Sequence, residues 1–131
     1  MLDVVDLLGK LDTSVAVVGA TDDLNKYGHV IYQDLKQKGF KVYPVNPNRA
    51  SVGGDNTYKD LKDIPEKPTL VNFVVPPSVT MTVLRECLQL NLINVWLQPG
   101  SENPESMDFL RQHSFNYLAN TCIMLSSRLK G

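Results

Sequence analysis

The chain has 131 residues, 43% hydrophobic and 21% charged, with a net charge of −1. That length suffices for one well-buried core, so a single domain over 1–131 is expected. Near-neutral charge without a Lys/Arg run excludes bulk attraction to nucleic acid or a membrane surface, and no apolar stretch reaches the roughly 18 residues of a membrane span. Asp3 and Asp6 stand where a secretory signal would carry a basic head, which points to a cytoplasmic protein. Cys87 and Cys122 lack metal-type spacing; no metal site is expected, and a disulfide is not the default.

Leu2, Val5 and Leu8 give a weak helical period, read as a short leading helix ending near Lys10. Val15 to Gly19 is an unbroken apolar run, the pattern of a strand covered on both faces. Tyr27, Val30, Ile31 and Leu35 form the apolar stripe of a helix that Gly39 stops. Phe40 to Val45 is the second strand, and Asn46-Pro47-Asn48-Arg49 the turn after it. Ser51 to Asn56 is glycine-rich and reads as loop, and Tyr58 to Ile64 as a short helical turn before Pro65. Thr69 to Val75 is the third strand, closed by Pro76-Pro77, with Ser78 placed to cap a helix through Leu84 and Leu88. Ile93 to Leu97, a helix from Pro104 to His113, Phe115 to Leu118 and a last helix from Ile123 to Leu129 complete the series. Trp96 is read as core, Cys87 as packing, and His113 as a helix-end residue.

Strands and helices thus alternate at roughly 25-residue spacing. The pattern implies an α/β, Rossmann-like fold: a doubly wound five-stranded parallel sheet in a three-layer α/β/α sandwich. Ligands of such sheets sit at the carboxyl ends of the strands. Four segments fall there: Gly19 to Asp22, Asn46 to Arg49, Pro76 to Ser78, and Gln98 to Ser101. The first follows a strand and precedes a helix, the setting in which free N–H groups and a helix dipole attract phosphate. It is not the dinucleotide fingerprint, because Ala20, Thr21, Asp22 and Asp23 follow Gly19 and the next glycine is Gly28. Thr21, Asp22, Asp23 and Asn25 are candidate N-caps; the two acids would repel phosphate unless turned away. On the residues alone, Gly19 also fits a plain tight turn, and Lys26 and Arg49 fit solvated surface. The prolines of the other segments fix local shape and offer flat apolar surface, which suits a planar base.

Val18-Gly19-Ala20-Thr21, Lys26-Tyr27-Gly28, Val42 to Pro47, Val75-Pro76-Pro77 and Val95 to Gly100, in this order and on these strand ends, resemble the small stand-alone CoA-binding proteins. These are similar to the N-terminal CoA-binding domain of the succinyl-CoA synthetase alpha subunit. The resemblance covers about Leu11 to Leu125. It implies CoA or acyl-CoA as ligand. Gly19, Ala20, Thr21 and Asp22 would hold the pyrophosphate, with Lys26 and Tyr27 beside it. Asn46, Pro47 and Arg49 would meet the adenosine end, with Arg49 by a CoA phosphate. Val75, Pro76 and Pro77 would wall the adenine, and Gln98, Pro99 and Gly100 would line the pantetheine path. Relatives often carry acid–Arg–Cys where this chain has Asn120-Thr121-Cys122, so that arginine's role has no counterpart here. Asn120 and Cys122 instead resemble the Asn-Cys pair of the synthetase subunit.

No nucleophile elbow, metal cluster or Walker-type loop is present, and His29 and His113 match no phosphohistidine site. The leading expectation is therefore a non-enzymatic CoA-binding protein, with a protein partner or a homo-oligomer open. Two alternatives stand beside it. One is an NAD(P)-binding redox sensor, disfavoured by Asn46 where the second strand would end in an acid. The other is the CoA-binding half of a split acyl-CoA ligase.

Overall fold

The computed structural model describes residues 2–130. After the short helix α1 (Val4–Leu7) comes β1 (Ser14–Val18), whose five residues are all buried. Helix α2 (Tyr27–Gln37) leads to β2 (Lys41–Val45). The minute strands β3 (Ser51–Val52) and β4 (Asp55–Asn56) and a 3-10 turn at Leu61–Asp63 precede β5 (Leu70–Phe73). Then follow α3 (Pro77–Gln89), β6 (Asn94–Leu97), α4 (Pro104–Gln112), β7 (Asn116–Ala119) and α5 (Ile123–Ser126).

The main sheet is five-stranded in the order β2-β1-β5-β6-β7, and every pairing in it is parallel. Its pleat splits the core in two. Val15, Val17, Leu70 and Trp96 face α1, α2 and α5, while Ala16, Val18, Val71, Phe73, Val95 and Leu97 face α3 and α4. This is the expected three-layer α/β/α sheet. Each fully buried Val, Leu, Ile or Phe stabilises it by about 1.5–3 kcal/mol. Trp96 is wholly buried, as expected, and its indole N–H donates to the Thr121 carbonyl at 2.8 Å. Cys87 is buried mid-helix; desolvation raises its thiol pKa far above the ordinary range, so it packs as an apolar side chain. Both cysteines are free thiols.

Three local expectations are corrected. Residues 51–56 form a hairpin rather than a loop, because Gly53 and Gly54 both take positive φ (57° and 82°), as a two-residue turn between right-twisted strands requires. Ser78 does not cap α3. Pro76 is the N-cap and Pro77 takes the first helical position, where its fixed φ and missing N–H cost nothing. The last helix stops at Ser126 because Ser127 is extended, with ψ 148°. Residues 127–130 instead strap back onto α2. Lys130 N donates to Lys38 O at 2.6 Å, and Lys38 Nζ donates to Met124 O and Ser127 Oγ, each at 2.9 Å.

Candidate binding cleft

In this strand order the chain reverses direction between β1 and β5, so the loops leaving those two strands part to opposite faces and open a crevice. A cleft of about 1270 Å³ lies there. At its base Gly19 takes φ +101°, a conformation that a side chain would strain. A Cβ on Gly19 would also run into the Val74 carbonyl oxygen and lie 2.8 Å from Val75 Cγ1. The residue must be glycine for β1 to turn beside β5. Gly28, in the first turn of α2, is the counterpart. A Cβ there would overlap the Gly19 carbonyl, so α2 starts in direct backbone contact with the turn.

Between these glycines the candidate caps do other work. Helix α2 begins only at Tyr27, and its N-cap, Lys26, offers no side-chain hydrogen bond. Thr21 Oγ1 accepts from Asp23 N (3.1 Å) and Asp23 Oδ1 from Asn25 N (3.0 Å), shaping the loop before the helix. His29 Nδ1 lies 3.3 Å from the Thr21 carbonyl. The Asp22 carboxylate is turned toward the β3–β4 hairpin, where it accepts from Gly53 N at 2.8 Å. Its charge therefore leaves the crevice. The Gly19 and Ala20 amides are already bonded, to Val45 O (3.0 Å) and Val17 O (3.4 Å). The amides of Tyr27 and Gly28 have no partner among the described residues, and both residues line the cleft. Anion capacity therefore sits at the helix start more than at Gly19 itself.

One wall comes from the end of β2. Asn46 Nδ2 donates to Ala20 O and its Oδ1 accepts from Asn48 N, each at 2.9 Å, locking this loop to the Gly19 turn. Pro47, Asn48 and Arg49 line the cleft beyond it. Lys59 and Asp60 join them from the segment that returns after the hairpin. The hairpin is clamped to α2 by Asp55, which accepts from both Lys36 Nζ and the Tyr32 hydroxyl. Those bonds, Lys36 first, hold the Asp55 carboxyl below its usual range, while burial and then Asp55 push the Tyr32 hydroxyl up. Lys26, Arg49 and Lys59 belong to no ion pair among the described residues; the paired cations are Lys36, Lys38, Lys41, Arg85 and Arg111.

The opposite wall is Val75 and Pro76 with Val79 and Val83 of α3. Ser101 fixes it: its hydroxyl accepts from Val75 N (3.1 Å) and donates to Phe73 O (3.2 Å), while Thr80 Oγ1 donates to Ser101 O (2.7 Å). Beyond Gln98, Pro99 and Gly100 the cleft reaches Cys122, Met124 and Leu125. Gln98 is nearly buried and holds that corner, its Oε1 accepting from Ile123 N (2.9 Å) and its Nε2 donating to Cys122 Sγ (3.2 Å).

Of the sequence candidates, Gly19, Thr21, Lys26, Tyr27, Asn46, Pro47, Arg49, Val75, Pro76, Gln98, Pro99 and Gly100 are brought together along this cleft. Ala20 is fully buried behind it, Asp22 faces the hairpin, and Pro77 enters α3 outside the lining. Sequence reading did not reach Asn25, Lys59, Asp60, Val79, Val83, Ser101 or Leu125 as site residues. Ser101 closed the Gln98 to Ser101 segment expected at the rim but was given no contact, and Asn25 was placed only as a candidate cap. Among the described residues no three His, Cys, Asp or Glu side chains converge as a metal site, and no helix is long and apolar enough to cross a membrane.

The class is thus a doubly wound parallel α/β protein with an anion-suited crevice at its switch point. A profile described as CoA binding domain matches residues 13–128, and the chain belongs to that family. It is 40% identical over 74 residues to the acetate–CoA ligase [ADP-forming] II subunit alpha of Pyrococcus furiosus. That match takes in 56% of this chain but only 16% of the relative. A conserved hypothetical protein of Pyrococcus furiosus superposes with TM-score 0.85 at 36% identity, covering 88% of this chain and 99% of that one. The dinucleotide-forming acetyl-coenzyme A synthetase 1 of Ca. Korarchaeum cryptofilum, solved with phosphate and ADP, superposes with TM-score 0.67 at 27% identity. It matches 86% of this chain and 26% of its own.

Proposed function

We propose that this protein binds CoA or acyl-CoA along the cleft at the carboxyl ends of the strands, without itself transforming the ligand. One observation carries the reading: in a chain of the CoA-binding domain family, the start of α2 is uncapped and pressed onto Gly19 by the missing side chain of Gly28. There the Tyr27 and Gly28 amides, the Gly19–Thr21 turn and Lys26 would receive the pyrophosphate. Asp22, drawn aside by Gly53, would not oppose it. Asn46, Pro47 and Arg49 would border the adenosine end, with Val75 and Pro76 as the apolar wall against the base and Pro77 setting their entry into α3. The pantetheine arm would run past Gln98, Pro99 and Gly100 toward Cys122. Isothermal titration with CoA, acetyl-CoA, NAD and NADP at matched ionic strength tests this. Micromolar CoA binding without NAD binding is the expected result. NAD binding alone would transfer the cleft to the redox-sensor reading.

A second reading has one observation in its favour. The Pyrococcus relative is by name a ligase subunit, and this chain spans a small part of its length. The protein would then be the CoA-binding half of a split acyl-CoA ligase, with a separate chain carrying the phosphohistidine. Affinity purification from the native host, followed by assay of the eluate for ADP-forming acyl-CoA synthesis, distinguishes it: activity that needs both chains supports it, and a lone inactive protein removes it.

A further inference from the structure

The chain leaves β2, makes the β3–β4 hairpin and returns along its own path. Thr57 N donates to Ala50 O at 3.1 Å, and Thr57 Oγ1 donates to Arg49 O. Tyr58 N donates to Pro44 O (2.9 Å) and Asn46 N to Tyr58 O (3.0 Å), a parallel bridge that pairs Val45 with Tyr58. The returning segment therefore bridges the end of β2 at Val45 and sets Lys59 beside the turn that begins at Asn46 and carries Arg49. Both cations line the cleft on backbone that is already fixed, and neither has a carboxylate partner among the described residues. Asp60, the next residue along, lines the same cleft, so a dianion resting by Arg49 alone would have its one cation there offset by a carboxylate.

We infer that Lys59 is a specificity-determining residue: with Arg49 it flanks a phosphomonoester at the adenosine end of the ligand. That group is the 3′-phosphate by which CoA differs from dephospho-CoA, and the inference rests on the CoA reading above. The two side chains are complementary, the arginine fork gripping two oxygens and the lysine supplying a mobile point charge. The resemblance that gave Arg49 a phosphate role gave Lys59 none.

The test is titration of the wild type, Lys59→Gln and Lys59→Arg with CoA and with dephospho-CoA at one ionic strength. The wild type should prefer CoA. Lys59→Gln should lower CoA affinity about threefold to fivefold, the worth of one exposed charge pair, and change dephospho-CoA less than about 1.5-fold. Lys59→Arg should keep most of the preference. If Lys59→Gln weakens both ligands equally, or neither, while the wild type binds CoA, the role of Lys59 is refuted and the CoA reading stands. If the wild type binds neither ligand, both fall.

Discussion

Gly28→Ala separates a helix effect from a packing effect in one substitution. Gly28 lies in the first turn of α2, where alanine is ordinarily better than glycine by about 1 kcal/mol. Here the new Cβ would overlap the Gly19 carbonyl oxygen, against a floor of 3.0 Å for real Cβ contacts, and lie 3.1 Å from the Gly19 carbonyl carbon. Both atoms are backbone of a turn pinned by Gly19 N to Val45 O, so no side chain can rotate aside. The first turn of α2 must lift. Overpacking of this kind costs about 1–3 kcal/mol, which after the propensity gain leaves a net loss of about 0–2 kcal/mol. The effect on ligand is larger, because the Tyr27 and Gly28 amides move with that turn. Two amide–phosphate bonds at about 1.5 kcal/mol each correspond to roughly a hundredfold in affinity. Urea unfolding and CoA titration of the same variant read the two quantities. A variant stabilised by the full alanine increment that binds CoA like the wild type would refute the close approach of α2 to Gly19.

Gly19→Val should lose CoA binding altogether, since the side chain would meet Val74 and Val75 from a φ of +101°; unchanged affinity would remove the turn from the site. Ser114 takes φ 57° just past α4 and is exposed, so Ser114→Gly should raise stability by about 0.5–1 kcal/mol in urea unfolding, with CoA binding unaltered. Asp55 titrates lower in the folded state than in the unfolded chain, first through Lys36 and then through Tyr32. Its contribution is therefore present above its unfolded pKa, near 4, and disappears as pH falls through the lowered value. The stability difference between wild type and Asp55→Asn should accordingly be visible at neutral pH and close in acid. A difference that stays constant down to about pH 2.5 would mean that the clamp does not depend on that charge.

The class of fold and the family were legible in the residues alone. The unbroken apolar run Val15–Val18, bounded by turn residues, suits a strand covered on both faces, and the alternation of such strands with amphipathic helices points to a parallel sheet. Short motifs at strand ends were legible because Gly19, Pro47, Pro76 and Pro99 constrain the backbone wherever they stand. Contacts between distant segments belonged to the tertiary structure. Nothing local gives the order β2-β1-β5-β6-β7, which decides that the Gly19 turn and Val75 face one crevice. Nor does anything local say that Asp22 turns to Gly53, that Gly28 rests on Gly19, that Ser101 pins Val75, or that a hairpin brings Lys59 back beside Arg49. Asp22 with Gly53 and Ser101 with Val75 are each joined by one hydrogen bond, across 31 and 26 residues, and Gly28 meets Gly19 through one missing methyl group. Such contacts leave no periodicity or composition to read; they exist only once the sheet has fixed which loops are neighbours.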